Sequence, residues 1–178
     1  MYRLLVVDDD DAARTSLHSL VLAALPDAEI DLAADAPEGV TQIQRHPPYH
    51  VVVTDMRMPE GLEGLSVVAA AREKDPTTEI IVLTAYGEMD NVYQALKLGA
   101  NQYIDKNLPE TVTAQITAID QAARRAERER RTQRRLHAME RLARELERRE
   151  PVLLDVVETL QLMVDYSHAI AAEDGNVG

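Results

Sequence analysis

The sequence predicts an α/β chain, in which a doubly wound parallel sheet of five strands is followed by a long helical extension. Three observations predict it. Five short apolar runs are each followed by ten or more residues with apolar spacing of three and four, the strand-then-helix alternation that builds parallel sheets. Two of the runs, "HVVVT" from His50 and "EIIVLT" from Glu79, are apolar without alternation, as strands covered on both faces are. Beyond residue 123 the strand-like runs stop and only helical spacing continues.

The expected strands are Leu4–Val7, Glu29–Ala33, His50–Thr54, Glu79–Thr84 and Asn101–Ile104. In sheets of this kind ligands bind beyond the carboxyl ends of the strands. The first strand runs into Asp8 and Asp9, the third into Asp55, the fourth ends at Thr84, and the fifth is followed by Asp105 and Lys106. Crowded carboxylates raise one another's pKa and resist desolvation, so such a cluster needs a cation, a lysine or solvent among it. Three acids at that density suit a hard divalent ion such as Mg²⁺, which takes oxygen ligands. The next two acids have another use: Asp10 is placed to cap the first helix, and Asp11 favours the positive end of its dipole.

The segments "VVDDDD", "VVVTDMRMPEG", "IIVLTAYG" and "GANQYIDK", in this order and spacing, resemble the receiver domain of bacterial two-component response regulators over residues 2 to about 123. The resemblance implies a flavodoxin-like fold and a phosphoacceptor at Asp55, charged by a sensor histidine kinase. It also implies Mg²⁺ held by Asp9, Asp55 and the backbone carbonyl of Arg57, with help from Asp8. Lys106 would pair with a phosphoryl oxygen, Thr84 would move to bond another, and Tyr103 would turn inward with it. Arg57 and Tyr86 stand where the family flanks the acyl phosphate and tunes its lifetime. The chain is then no enzyme acting on a separate substrate, but a switch that promotes its own Mg²⁺-dependent phosphorylation and dephosphorylation.

Two departures from the family pattern stand beside the site. Asn107 follows Lys106 where receivers usually carry a proline, with Pro109 two residues later, so a trans Lys106–Asn107 bond is expected. The segment "MPEGLEGL" is one residue longer than the common form before Gly64, which predicts a distorted loop next to Asp55.

Charge divides the chain in three. Residues 1–123 hold 20 acids against 8 bases, residues 124–150 hold 6 against 11, and residues 151–178 hold 5 against none. The expected organisation is a receiver over 1–123, an Arg-rich helical linker or coiled coil over 124–150, and an acidic helix and tail over 151–178. Val112, Ile116 and Ile119 are expected to give the last receiver helix its buried face. The helix is expected to continue unbroken from Glu110 to Glu150, with no core covering residues 127–135. Leu136, Met139, Ala143, Leu146, Leu153, Val157, Leu160 and Val164 then form a seam with coiled-coil spacing, interrupted at Pro151 before a final helix from about Val152. One helix cannot bury such a seam alone, so either two chains pair along it or the last helix folds back. A homodimer through these helices, or a docking surface for a downstream protein partner, is the favoured reading.

Composition excludes several other functions. The chain has no Cys, Trp or Phe, so disulfides, thiol chemistry and cysteine-based zinc sites are ruled out, and the core must be aliphatic. No run suits a membrane span or signal peptide, which points to a cytoplasmic chain. The five histidines show no ligand spacing and are expected to be surface or packing residues. Net charge of -12 argues against nucleic acid as a partner of the first module. A basic-region role for "ARRAERERRTQRR" is weakened by Glu127 and Glu129, which would face phosphates. The alternatives carried forward are a signalling linker to an absent effector, an enzyme or a transcription domain, and a DNA-binding regulator using the Arg-rich helix.

Overall fold

The computed structural model describes residues 1–59, 61–85, 89–107, 111–149 and 154–174. Expectations resting on Tyr86, Pro109, Glu110, Glu150, Pro151, Val152 and Leu153 lie outside those residues. The strands are β1 (Tyr2–Val7), β2 (Ala28–Ala33), β3 (Val51–Asp55), β4 (Glu79–Thr84) and β5 (Gln102–Asp105), all parallel, in the order β2-β1-β3-β4-β5. Helices α1 (Asp11–Ala24), α2 (Ala36–Arg45), α3 (Gly64–Lys74) and α4 (Met89–Lys97) connect them, and α5 (Thr111–Arg149) and α6 (Leu154–Asp174) follow. This is the doubly wound five-stranded sheet that the sequence predicts.

The sheet is covered by two separate apolar layers. On one face Leu5, Val7, Val52, Ile80 and Val82 pack with Ile43 of α2, Val67 and Val68 of α3 and Ala95 of α4. On the other face Leu4, Val6, Val51, Val53, Ile81 and Leu83 pack with Leu17 and Val21 of α1 and with Ala118, Ile119, Ala122 and Ala123 of α5. Because neighbours along a strand point to opposite faces, a fully apolar run is what a two-layer cover demands. The α1 boundary follows from its cap: Asp10 accepts the backbone N–H groups of Ala12 and Ala13, while Asp11 lies in the first turn.

The buried face of α5 differs from its expected form. Val112 is exposed, Ile116 is half-buried, and Ile119 is buried among alanines at 118, 122, 123 and 126. Alanine lets the helix axis approach the sheet closely, which leaves no space for a second row of large side chains.

The Arg-rich stretch also begins under cover rather than in solvent. The Arg125 guanidinium donates to Glu79 at 2.8 and 3.1 Å. His50 Nδ1 accepts the Arg3 backbone N–H at 3.0 Å, so its Nε2 carries the proton and donates to Glu127 at 3.1 Å. Arg130 is buried as well. Residues 128, 129, 131, 132, 134 and 135 are exposed, as a stretch without apolar residues is expected to be, and the exceptions are the buried Arg130 and the half-buried Glu127 and Gln133.

The chain forms two compact units, Met1–Arg128 and Glu129–Gly178. In the second unit Leu136, Ala143 and Val164 are buried and Met139, Leu146 and Leu160 are half-buried. These seam positions are therefore covered within one compact unit of a single chain that contains the far part of α5 and α6, as the fold-back arrangement of the two that the sequence left open predicts. No described helix is long and apolar enough to cross a membrane.

Candidate functional site

The crossover from β1 to its two neighbours, β2 and β3, opens a crevice at the carboxyl ends of β1 and β3. Asp8 directly follows β1 and is buried; its backbone N–H donates to the Ala33 carbonyl and its Oδ1 accepts the Asp10 N–H. Asp55 ends β3 and is partly buried. Lys106, one residue past β5, reaches across the crevice: its Nζ lies 2.8 Å from Asp8 Oδ2 and 2.9 Å from Asp55 Oδ2. These bonds join residues 98 and 51 positions apart in sequence.

Asp8, Asp9 and Asp55 each offer a carboxylate oxygen, and the three atoms lie within 4.8 Å of one another. An all-oxygen acidic set with Asp9 exposed to water fits a hard divalent cation that keeps part of its hydration. Burial raises the Asp55 carboxyl pKa above its ordinary value. Lys106 and the Arg57 backbone N–H pull it down, while the Asp8 charge adds to the rise. Burial alone would lower the Lys106 ammonium, but hydrogen bonds and charge from Asp55 and Asp8 outweigh it and raise it. The crevice thus holds three carboxylates against one ammonium, an excess of negative charge that a bound cation would relieve.

The other expected residues cluster around the same edge. Thr84 ends β4 and is fully buried, and its carbonyl accepts the Lys106 N–H at 2.6 Å. Tyr103 pairs with Val82 in the β4–β5 register and packs, half-buried, on the α3–α4 layer. With Thr84 two residues beyond Val82, the hydroxyl and the phenol share one face of the sheet. The Arg57 side chain is exposed. His50 packs at the opposite edge from the crevice, at the start of β3, and no histidine belongs to the described acidic cluster.

The peptide bonds of the described residues are trans, including Lys106–Asn107. The Asn107 side-chain amide donates to the Ala85 carbonyl, and its backbone N–H to Asp105 Oδ1, so this side chain ties the loop after β5 to the loop after β4. In the segment after β3, Met58 and Gly61 exchange paired backbone bonds, with Gly61 at a φ of 124°. Gly64 then brings α3 so close that a Cβ there would lie 2.1 Å from the Asp55 carbonyl oxygen.

One participant escaped the sequence reading. Arg14 of α1 donates to the Asp8 carbonyl at 2.6 Å and to Asp11 at 2.6 Å, bringing a second positive charge to the edge of the acidic crevice. Its spacing of three from Asp11 was the available signal.

Residues 4–117 match the family model described as the response regulator receiver domain. The chain belongs to the receiver domain family of two-component response regulators. The oxygen regulatory protein NreC of Staphylococcus carnosus is 34% identical over 109 residues, 61% of this chain and 49% of that protein. The chemotaxis protein CheY of Listeria monocytogenes is 30% identical over 126 residues, 70% of this chain and 100% of that protein. A CheY-like receiver domain protein from Methanospirillum hungatei has a solved structure that superposes with a TM-score of 0.64 at 25% identity, covering 72% of this chain and 98% of that one. The match thus spans about half the length of NreC but the whole of a CheY. None of these matches reaches across all of α5 and α6.

Proposed function

We propose that this receiver accepts a phosphoryl group from the phosphohistidine of a sensor kinase onto Asp55. The supporting observation is the placement of Lys106 Nζ within hydrogen-bond distance of both Asp55 and Asp8, beside the oxygens of Asp9. One Asp55 carboxylate oxygen attacks phosphorus, the bond from phosphorus to the imidazole nitrogen breaks, and the departing electron pair stays on that nitrogen. Phosphoryl transfer asks a protein mainly for positioning and for charge stabilisation. Asp8, Asp9, Asp55 and the Arg57 carbonyl would hold Mg²⁺, which supplies positive charge against the incoming phosphoryl oxygens. Lys106 supplies the second positive group, exchanging a carboxylate partner for a phosphoryl oxygen.

The new group carries about two negative charges and fresh acceptor oxygens. Thr84 is the hydroxyl at hand, and its inward movement would open space on the sheet face that Tyr103 shares. The α4–β5–α5 surface changes with it, and α5 carries that change onward because it is one continuous helix to Arg149. The extension then acts as a dimerisation or partner-docking element, with a second copy favoured. In this reading the chain has no separate substrate, and it catalyses only its own phosphorylation and dephosphorylation.

The DNA-binding alternative has less support, since Arg125 is engaged by Glu79 and Arg124 by Asp120. The alternative of a linker to a further effector rests on the NreC-type relatives, of which the match covers about half.

The test is intact mass after incubation with acetyl phosphate, with Mg²⁺ or with a chelator, for the natural chain and Asp55→Asn. One phosphoryl adduct is expected, present only with Mg²⁺ and intact Asp55. An adduct that persists in Asp55→Asn, or none with Mg²⁺, would overturn the reading.

A further inference from the structure

Once the seam is covered inside one chain, α6 still presents a second apolar face. Leu162, Met163 and Tyr166 are 68%, 58% and 69% exposed, while Val164 between them is buried. On a helix these three lie along one stripe, at spacings of three and four, away from the side that Val164 turns inward. Leu142 of α5, 57% exposed, is the remaining large apolar side chain open to solvent among the described residues of this unit. A helix with two apolar faces and one covering neighbour is incomplete as a solvated element.

We infer that this outer face binds a second copy of the chain, turning two helical hairpins into a four-helix bundle with Leu142 of each copy against Leu162 of the other. The inference rests on the reading of the extension as a dimerisation element and specifies its face. The choice of a second copy comes from charge. Residues 129–149 of α5 hold eight arginines against four glutamates, whereas residues 154–174 of α6 hold five acids and no Lys or Arg. A two-fold partner placed side by side sets each α6 against the other copy's α5, so that every neighbouring pair around the bundle joins a basic helix to an acidic one. Pairing α6 with α6 would set acid against acid.

The heights agree. Leu142 lies seven residues before the end of α5 and Leu162 eight residues after the start of α6, each about 11 Å from the hairpin end at 1.5 Å per residue. The face is small. Two helices of 21 residues, about 31 Å long and about 10 Å wide, offer roughly 600 Å² per copy, near the lower bound for a specific interface. A reversible, concentration-dependent dimer is the expected product.

The test reads mass by light scattering over a range of protein concentrations. The natural chain should rise to twice the monomer mass, and Leu162→Glu with Met163→Glu should hold it at one, with helical circular dichroism and Asp55 phosphorylation unchanged. Leu96→Glu, on the exposed side of α4, should leave the dimer intact. Because the chain has no cysteine, Leu142→Cys and Leu162→Cys variants provide a second readout that tolerates a poorly folding charge variant. Mixed and oxidised, they should form a heterologous disulfide dimer, and neither variant alone should do so to the same extent. A natural chain that stays monomeric at high concentration would overturn both this inference and the dimer reading. A dimer that survives Leu162→Glu with Met163→Glu, or that is lost with Leu96→Glu, would overturn this face while leaving dimerisation itself standing.

Discussion

Lys106 donates from Nζ to the Asp55 carboxylate at 2.9 Å, across 51 residues of sequence and the full width between β3 and β5. The ammonium is partly buried and shared with Asp8, so it meets a phosphoryl oxygen without first being stripped of bulk water. Lys106→Ala is expected to slow phosphorylation of Asp55 by acetyl phosphate by about 10²- to 10³-fold, the usual scale for removing one preorganised charge-stabilising donor. Initial rates from intact mass check this, and an unchanged rate would show that the ammonium is a bystander.

Gly64→Ala should damage the site from behind. The added carbon would lie 2.1 Å from the Asp55 carbonyl oxygen and 2.9 Å from the Met56 Cα, both backbone atoms that cannot turn aside. The start of α3 or the end of β3 must move. A loss of about 1 to 3 kcal/mol in urea unfolding is expected, together with slower Asp55 phosphorylation. Gly61→Ala, with open space around it, should cost stability through its φ of 124° alone and leave the end of β3 in place.

Tyr49 should give a pH signature. Its hydroxyl donates to Asp31 at 2.7 Å, the Arg3 guanidinium lies 5.0 Å above its ring, and burial followed by the Asp31 bond raises its pKa. A raised folded-state value means that the stabilisation is complete below the unfolded value of about 10 and is lost as pH rises through the folded one. Tyr49→Phe should cost about 1 to 2 kcal/mol at pH 7, and the gap to the natural chain should narrow above about pH 10. Urea midpoints across that range decide it; a constant gap would deny the linkage.

The family match ends at residue 117, but the apolar layer does not. Ending the chain after Thr117 removes Ile119, Ala122 and Ala123 from the α1–α5 layer, whereas ending it after Arg128 keeps them and the pairs to Glu79 and His50. The shorter chain is expected to lose several kcal/mol, since deleting one large buried aliphatic side chain already costs about 2 to 5. The longer one should melt cooperatively. Thermal denaturation of both distinguishes them.

The parts legible in the sequence were those encoded locally. A buried parallel strand is an unbroken apolar run, a strand end is where that run meets Asp8, Asp55 or Lys106, and a cap is a short acid such as Asp10 ahead of a helix. What stayed hidden depended on partners far apart along the chain. Arg3, Asp31, His46 and Tyr49 form one network that periodicity cannot reveal, because each residue alone looks like an ordinary surface or packing group. Glu127 resembled a solvated charge until folding brought His50 to it. The outward position of Val112 follows from where α5 meets the sheet, which hydropathy does not specify. The seam could satisfy itself in two ways with equal spacing, and only the burial of Leu136, Ala143 and Val164 in a single chain distinguishes them.

The alanine face of α5 imposes two standards of tolerance on one helix. At positions 118, 122 and 123 alanine methyls complete the layer against the sheet, and a larger side chain there would have to push α5 away from it. Past Arg128 the helix belongs to the second compact unit and buries a large apolar side chain again at Leu136. Substitutions in the far half of α5 and in α6 are therefore expected to leave the packing of the sheet untouched.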